Sequence, residues 1–158
     1  MTRPTLHEIC TLLANSALLG CHEPIAGVAT DSRHVLPGQL FVALKGLKVD
    51  GHDYVAEALA NGAIACLVEE HFVLADAPLI HVKDPLFSLQ AIARWHIARG
   101  KAQVVAVTGS LGKTTTKEFL YTLLKSKYKT ACTSGNQNSQ VGMSASLLNN
   151  VQGDEEYI

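Results

Sequence analysis

Apolar positions follow two rhythms along this chain. Residues 25–30, 40–44, 64–68 and 79–82 are compact apolar runs. Runs of this length without strict polar alternation predict strands buried on both faces. Between them the spacing turns helical. Leu6, Ile9, Leu13 and Ala17 recur on one face, with Gly20 as the expected stop, and a second helix is predicted over residues 54–61, closed by Gly62. Polar turns interrupt these elements at Asp31-Ser32-Arg33, at Pro37-Gly38 and over residues 46–53. Strand alternating with helix predicts an α/β fold with parallel pairing.

The pattern then restarts. Asp84-Pro85 opens a helix, since proline is favoured at a first helical position where its missing N–H had no partner. Leu86, Leu89, Ala93 and His96 or Ile97 share its face, and Gly100 ends it. A strand is predicted over 103–107, then a glycine-rich turn, then a helix with Phe119, Leu120, Leu123 and Leu124 on one face, with a further strand at 129–132. The expected organisation is a small mixed α/β domain over residues 1–84, followed over 85–158 by the start of a second, P-loop (Rossmann-like) domain. After residue 103 the chain offers about two strands and two helices. Such a sheet can hardly bury both faces, so this second domain is expected to be truncated.

Composition narrows the function classes. The 158 residues are 47% hydrophobic and 17% charged, and 13 basic against 14 acidic residues leave a net charge of -1. This is a globular balance with no electrostatic footprint for nucleic acid or an anionic membrane. Lys125, Lys127 and Lys129 read as a solvated helix end. No apolar stretch reaches the roughly 18 residues that signal a membrane span. Glu8 interrupts what would be the core of a signal peptide, so a cytoplasmic protein is expected. Cys10, Cys21, Cys66 and Cys132 are scattered, and the seven histidines show no metal-binding spacing, so neither a disulfide framework nor a zinc site is expected.

The chemistry concentrates in Thr108-Gly109-Ser110-Leu111-Gly112-Lys113-Thr114-Thr115, at the end of an apolar strand and the start of a helix. Gly109 and Gly112 let backbone amides curl inward around an anion. The helix N-terminus adds unpaired donors and a positive dipole end. Lys113 supplies a full charge for β- and γ-phosphates, and the Thr114 hydroxyl suits Mg²⁺. The common phosphate-loop pattern, Gly-x-x-x-x-Gly-Lys-[Ser/Thr], requires glycine at position 107, where this chain has Val107. The loop is therefore a variant.

That variant, running from Ala106 through Thr116-Lys117-Glu118, resembles the nucleotide signature of the Mur ligases and the related folylpolyglutamate synthetases. Two upstream segments, from Thr30 to Gly46 and from Asp50 to Ala63, resemble the uridine-nucleotide domain of Mur ligases, which folylpolyglutamate synthetases lack. A third, from Thr133 to Gly142, resembles the family's substrate-facing loop, with Ser139 where a second asparagine is common. The likeness extends from about Thr30 to Asn149. It implies ATP and Mg²⁺ as cofactors, with ATP held by Thr108, Gly109, Ser110, Leu111, Gly112, Lys113, Thr114 and Thr115, Lys113 acting on the transferring phosphate and Thr114 on the metal. It also implies a UDP-linked substrate touched by Ser32, Arg33, Asp50, Gly51, His52, Asn136 and Asn138.

Read physically, Ser32 can donate to a phosphate or uracil carbonyl, and Arg33 can grip a diphosphate with two parallel bonds. A plain turn, with Arg33 paired to an acid, explains the same residues. Asp50-Gly51-His52 is likewise a turn in which glycine permits a positive φ.

The resemblance further implies the family reaction. A substrate carboxylate is phosphorylated to an acyl phosphate, which an amine then converts to an amide. The trailing Thr116-Lys117-Glu118 favours the member that joins D-alanyl-D-alanine to UDP-N-acetylmuramoyl-tripeptide in peptidoglycan synthesis, a monomer in this expectation. The member that adds the third amino acid to UDP-N-acetylmuramoyl-dipeptide is the nearest alternative, and a non-catalytic UDP-sugar module is another. A P-loop switch finds less support, because no aspartate-ending apolar strand follows Lys113. The acidic and lysine metal ligands and the amine-substrate domain would lie past residue 158, so this piece alone is not expected to ligate.

Overall fold

The computed structural model describes residues 3–15, 20–135 and 139–158, and the chain forms two compact units that meet within one helix, after Ile92.

In the first unit, β1 (Gly27–Ala29), β2 (Gln39–Val42), β3 (Ala65–Glu69) and β4 (Leu79–Val82) form one parallel sheet in the order β1-β2-β3-β4. The continuous apolar runs are explained by burial on both faces. Phe41, Cys66, Val68 and Leu79 pack with Val55 and Ala58 of α2 (Val55–Ala60) in one cluster. Leu40, Val42, Leu67 and Ile80 point to the other face and are fully buried as well. Two short 3-10 turns, Ser32–His34 after β1 and Gly51–Tyr54 before α2, carry the polar motifs.

Helix α1 (Leu6–Leu12) is shorter than its periodicity predicts. Thr5 caps it, its hydroxyl accepting the Glu8 amide while the Glu8 carboxylate accepts the Thr5 amide. Leu13 is already the C-cap, and Ala14 turns left-handed at φ 52°, so the helix stops well before Gly20. Ala17 lies outside the described residues.

Helix α3 (Pro85–Arg99) begins at the expected proline, with the Asp84 carboxylate accepting the Phe87 amide at 2.9 Å. Its buried positions, Pro85, Ser88, Leu89, Ile92, Ala93 and His96, follow a helical stripe.

In the second unit, α4 (Lys113–Leu124) and α5 (Gln140–Asn150) accompany three extended backbones. The strand predicted over 103–107 is reduced to a single bridge. Gln103 pairs with Tyr157 in parallel, Thr130 pairs with the same Tyr157, and Val105 donates to the Ile158 carbonyl at 2.9 Å. A strand is defined by its neighbours, and past Val105 no described backbone lies alongside. Val104 and Val105 are exposed rather than buried. Among the described residues no helix is long and apolar enough to cross a membrane.

Candidate functional site

The glycine-rich turn leads directly into α4. Gly109 takes φ 143° and Gly112 takes φ 76°, values that L side chains rarely adopt. Gly112 is the N-cap of α4 and offers no side chain to satisfy the helix amides. Among the described residues, the amides of Thr108, Gly109, Ser110, Leu111, Gly112 and Lys113 find no hydrogen-bond acceptor. A run of unpaired, exposed donors at a helix N-terminus suits an anion.

The Lys113 ammonium folds back over the turn, donating to the carbonyls of Gly109 at 2.5 Å and Ser110 at 3.4 Å. It thus hangs over the same turn whose amides are free. Thr114 and Thr115 occupy the exposed first turn of α4. A cavity of about 240 Å³ opens here, lined by Lys113, Thr114, Lys117, Thr133 and Gly135 on its polar side and by Val107 and Met143 on its apolar side.

Lys117 lies one turn after Lys113. Its ammonium donates to the carbonyls of Thr133 at 2.5 Å and Gly135 at 3.0 Å and pairs with Glu118 at 3.0 Å. From α5, the Asn150 amide donates to the Cys132 carbonyl at 2.9 Å and to the Ser134 hydroxyl at 2.7 Å, while the Ser134 amide donates to the Ser146 hydroxyl at 2.7 Å. Residues 132–135 are therefore held from two helices. Asn136 and Asn138, expected on the substrate-facing loop, lie outside the described residues. Ser139 caps α5, its hydroxyl accepting the Gly142 amide at 2.9 Å.

The second candidate cluster sits at the carboxyl end of β1. The Arg33 guanidinium forks onto Asp31, with Nε and Nη2 donating at 2.9 and 2.7 Å. Those bonds hold the Asp31 carboxyl well below the usual carboxylate range and raise the Arg33 pKa further. The Arg33 side chain is nevertheless 73% exposed. Buried Ser32 donates its hydroxyl to Glu57 at 2.7 Å, and the Asn61 side-chain amide donates to the Ser32 carbonyl at 2.9 Å. The Ser32 proton is thus engaged, and its oxygen keeps only acceptor capacity toward a ligand. Glu57 and Asn61, one helical turn apart, gave no local signal of this role in the sequence.

Asp50 caps the turn that leads into α2, accepting the His52 amide at 3.0 Å, and lies 2.6 Å from His52 Nδ1. Nε2 of His52 accepts the Glu69 amide at 3.0 Å, which puts the ring proton on Nδ1. Bonds from the His52 amide and ring lower the Asp50 pKa. Gly51 does not adopt the positive φ expected of it. It is needed because an added Cβ would stand 2.6 Å from the Leu44 amide nitrogen and 2.8 Å from the Leu44 carbonyl oxygen. The lysine-rich stretch is engaged in place: Lys125 lies over Tyr121, Lys127 over Tyr128, and Lys129 pairs with Asp154.

Among the described residues no three His, Cys, Asp or Glu side chains come together as a metal cage. Mg²⁺ at a nucleotide is commonly held by one or two carboxylates plus the phosphates and waters, and the Thr114 hydroxyl, in the first turn of α4, would supply one further oxygen.

Comparison with known proteins shows the family. Residues 24–108 match the model described as Mur ligase family, catalytic domain, and residues 107–158 match the Mur ligase middle domain. The UDP-N-acetylmuramoyl-tripeptide–D-alanyl-D-alanine ligase of Escherichia coli K12 is 39% identical over 148 residues, covering 94% of this chain and 32% of the relative. The UDP-N-acetylmuramoyl-L-alanyl-D-glutamate–2,6-diaminopimelate ligase of Syntrophomonas wolfei is also 39% identical, over 121 residues, covering 75% and 25%. The crystal structure of MurF ligase from Thermotoga maritima in complex with ADP superposes with a TM-score of 0.73 at 40% identity, covering 83% of this chain and 30% of that one. The chain spans about a third of the length of the curated relatives it matches. With both family models matched and a relative 39% identical over most of this sequence, the chain belongs to the Mur ligase family.

Proposed function

We propose that the chain is part of an ATP-dependent amide ligase that joins D-alanyl-D-alanine to UDP-N-acetylmuramoyl-tripeptide. Residues 1–84 act as the UDP-substrate domain and residues 85–158 as the start of the ATP domain. The observation that carries this reading is the row of unpaired amides from Thr108 to Lys113, capped by Gly112 and overhung by an ammonium.

ATP, with Mg²⁺, supplies the phosphoryl group that activates the substrate carboxylate. The chain's own part is electrostatic and positional. The free amides take the terminal phosphate oxygens, Lys113 swings from the Gly109 carbonyl to the incoming charge, and Thr114 offers its hydroxyl to the metal. Arg33, exposed at the carboxyl end of β1, is the cation for the UDP diphosphate, with Asp50, Gly51 and His52 shaping the neighbouring loop and Asn136 and Asn138 facing the sugar. The same reading makes the enzyme cytoplasmic and monomeric.

Isothermal titration of the 158-residue chain with Mg·ATP tests the phosphate turn. Saturable binding that Lys113→Ala abolishes supports the reading. No heat from the unaltered chain at millimolar nucleotide overturns it.

A further inference from the structure

We propose that Lys117 is a positioning residue for the nucleotide site, holding residues 132–135 against α4 so that they wall the cavity beside Lys113 and Thr114. The inference rests on the phosphate turn being a nucleotide site, and it concerns a residue that reaches the ligand only through the backbone it holds.

Lys113 and Lys117 stand at positions i and i+4 of α4 and so lie on one face. Each ammonium is spent on two backbone carbonyls, but of different segments: Lys113 on Gly109 and Ser110, Lys117 on Thr133 and Gly135. Lys117 is the better enclosed, with only 18% of its side chain exposed, and Glu118 balances its charge. Its two acceptors bracket Ser134, whose amide is taken by Ser146 of α5. Asn150 of α5 takes the Cys132 carbonyl.

Three of the four carbonyls from Cys132 to Gly135 therefore have side-chain donors, two of them from one lysine. Lys117 and both residues it holds, Thr133 and Gly135, line the same cavity as Lys113 and Thr114. Gly135 has φ 50°, a conformation in which its carbonyl is easily lost to other orientations unless something holds it. A charge-assisted pair of bonds supplies that hold.

The test compares Lys117→Met and Lys117→Arg in the 158-residue chain, with Lys113→Ala as the control for the phosphate turn. Exchange of the Ser134 amide, followed by NMR without nucleotide, reads the clamp itself. Titration with Mg·ATP reads its consequence. Methionine keeps the stem and removes both bonds, so Ser134 should exchange about tenfold faster and Mg·ATP should bind about tenfold more weakly. Arginine retains donors for both carbonyls and should restore both readouts to near the starting values.

Unchanged Ser134 exchange in Lys117→Met overturns the clamp. Faster exchange with unchanged Mg·ATP affinity overturns the positioning role. Weak binding in Lys117→Arg despite normal exchange also overturns it, because the ammonium would then touch the nucleotide directly. If the unaltered chain binds no Mg·ATP at all, the phosphate-turn reading fails, and with it the positioning role. The exchange measurement then reports only whether the clamp exists.

Discussion

His52 receives the backbone amide of Glu69 on Nε2 at 3.0 Å, tying the turn before α2 to the carboxyl end of β3. Its other nitrogen meets Asp50 at 2.6 Å, and only 9% of the side chain is exposed. One imidazole thus satisfies two partners in a fixed tautomer. Replacing His52 with alanine leaves both without it and should cost about 1–3 kcal/mol, the penalty for stranding enclosed polar groups. Urea denaturation of the two chains measures this, and a loss below 0.5 kcal/mol, on the order of surface substitutions, would show that water replaces the ring.

Acid should weaken the same turn. The folded state lowers the pKa of Asp50, first through the His52 amide and then through its ring. A carboxylate lowered on folding stabilises above its ordinary value, about 3.9, and loses that contribution as pH falls through the lower folded value. Denaturation midpoints taken from about pH 5 down to pH 2 should therefore fall less steeply for Asp50→Asn than for the unaltered chain. Equal slopes would remove Asp50 from the account.

Two glycines should respond to alanine for different reasons. At Gly51 the new methyl meets the Leu44 backbone at 2.6 and 2.8 Å, and a backbone cannot rotate away. The expected loss is at least the 1–3 kcal/mol typical of overpacking. At Gly112 nothing lies within 4 Å, and the cost is the left-handed φ of 76°, about 1–2 kcal/mol. Thermal unfolding of both variants ranks them, with Gly51→Ala the lower. The reverse order would show that the chain near Leu44 yields more easily than the turn does.

These contrasts show what could be read in the residues themselves. The apolar runs at 40–44, 64–68 and 79–82 revealed strands because a parallel sheet buried on both faces leaves no room for polar alternation. The glycine turn before α4 was legible because Gly109 and Gly112 take positive φ at fixed offsets from Lys113. Helix α5, the second of the two helices the chain offers after residue 103, could be counted but not delimited: Gln140, Ser144, Ser146 and Asn150 break up its apolar stripe, and the side chains of Ser144, Ser146 and Asn150 are occupied with hydrogen bonds. The bond from Ser32 to Glu57 and that from Lys117 to Thr133 join residues 25 and 16 apart. No local pattern announces such pairs, since they arise only once the helices are in place.

Arg33 allows stability to be separated from binding. Its pairing with Asp31 is exposed and spans two residues, so Arg33→Ala should leave the unfolding midpoint essentially unchanged. If Arg33 serves the UDP diphosphate, the same variant should lose at least about tenfold in affinity for UDP-N-acetylmuramoyl-tripeptide. Calorimetry decides, and unchanged affinity would return Arg33 to the role of a turn residue.

Thiol labelling should report burial. Desolvation pushes the Cys66 thiol up to about 12, and Cys10 is also buried. At pH 8 both should resist iodoacetamide in the folded chain and react only after denaturation, as mass spectrometry of the peptides can establish. Rapid labelling of Cys66 under native conditions would mean that β3 opens readily.

The position of Tyr157 has a bearing on biogenesis. It is the neighbour shared by Gln103 and Thr130, which have no bridge to each other. Two segments synthesised earlier must wait, unzipped, for one made after both to slide between them. During translation the second unit would consequently leave the ribosome with two open strand edges, a window in which chaperone capture or mispairing competes with assembly.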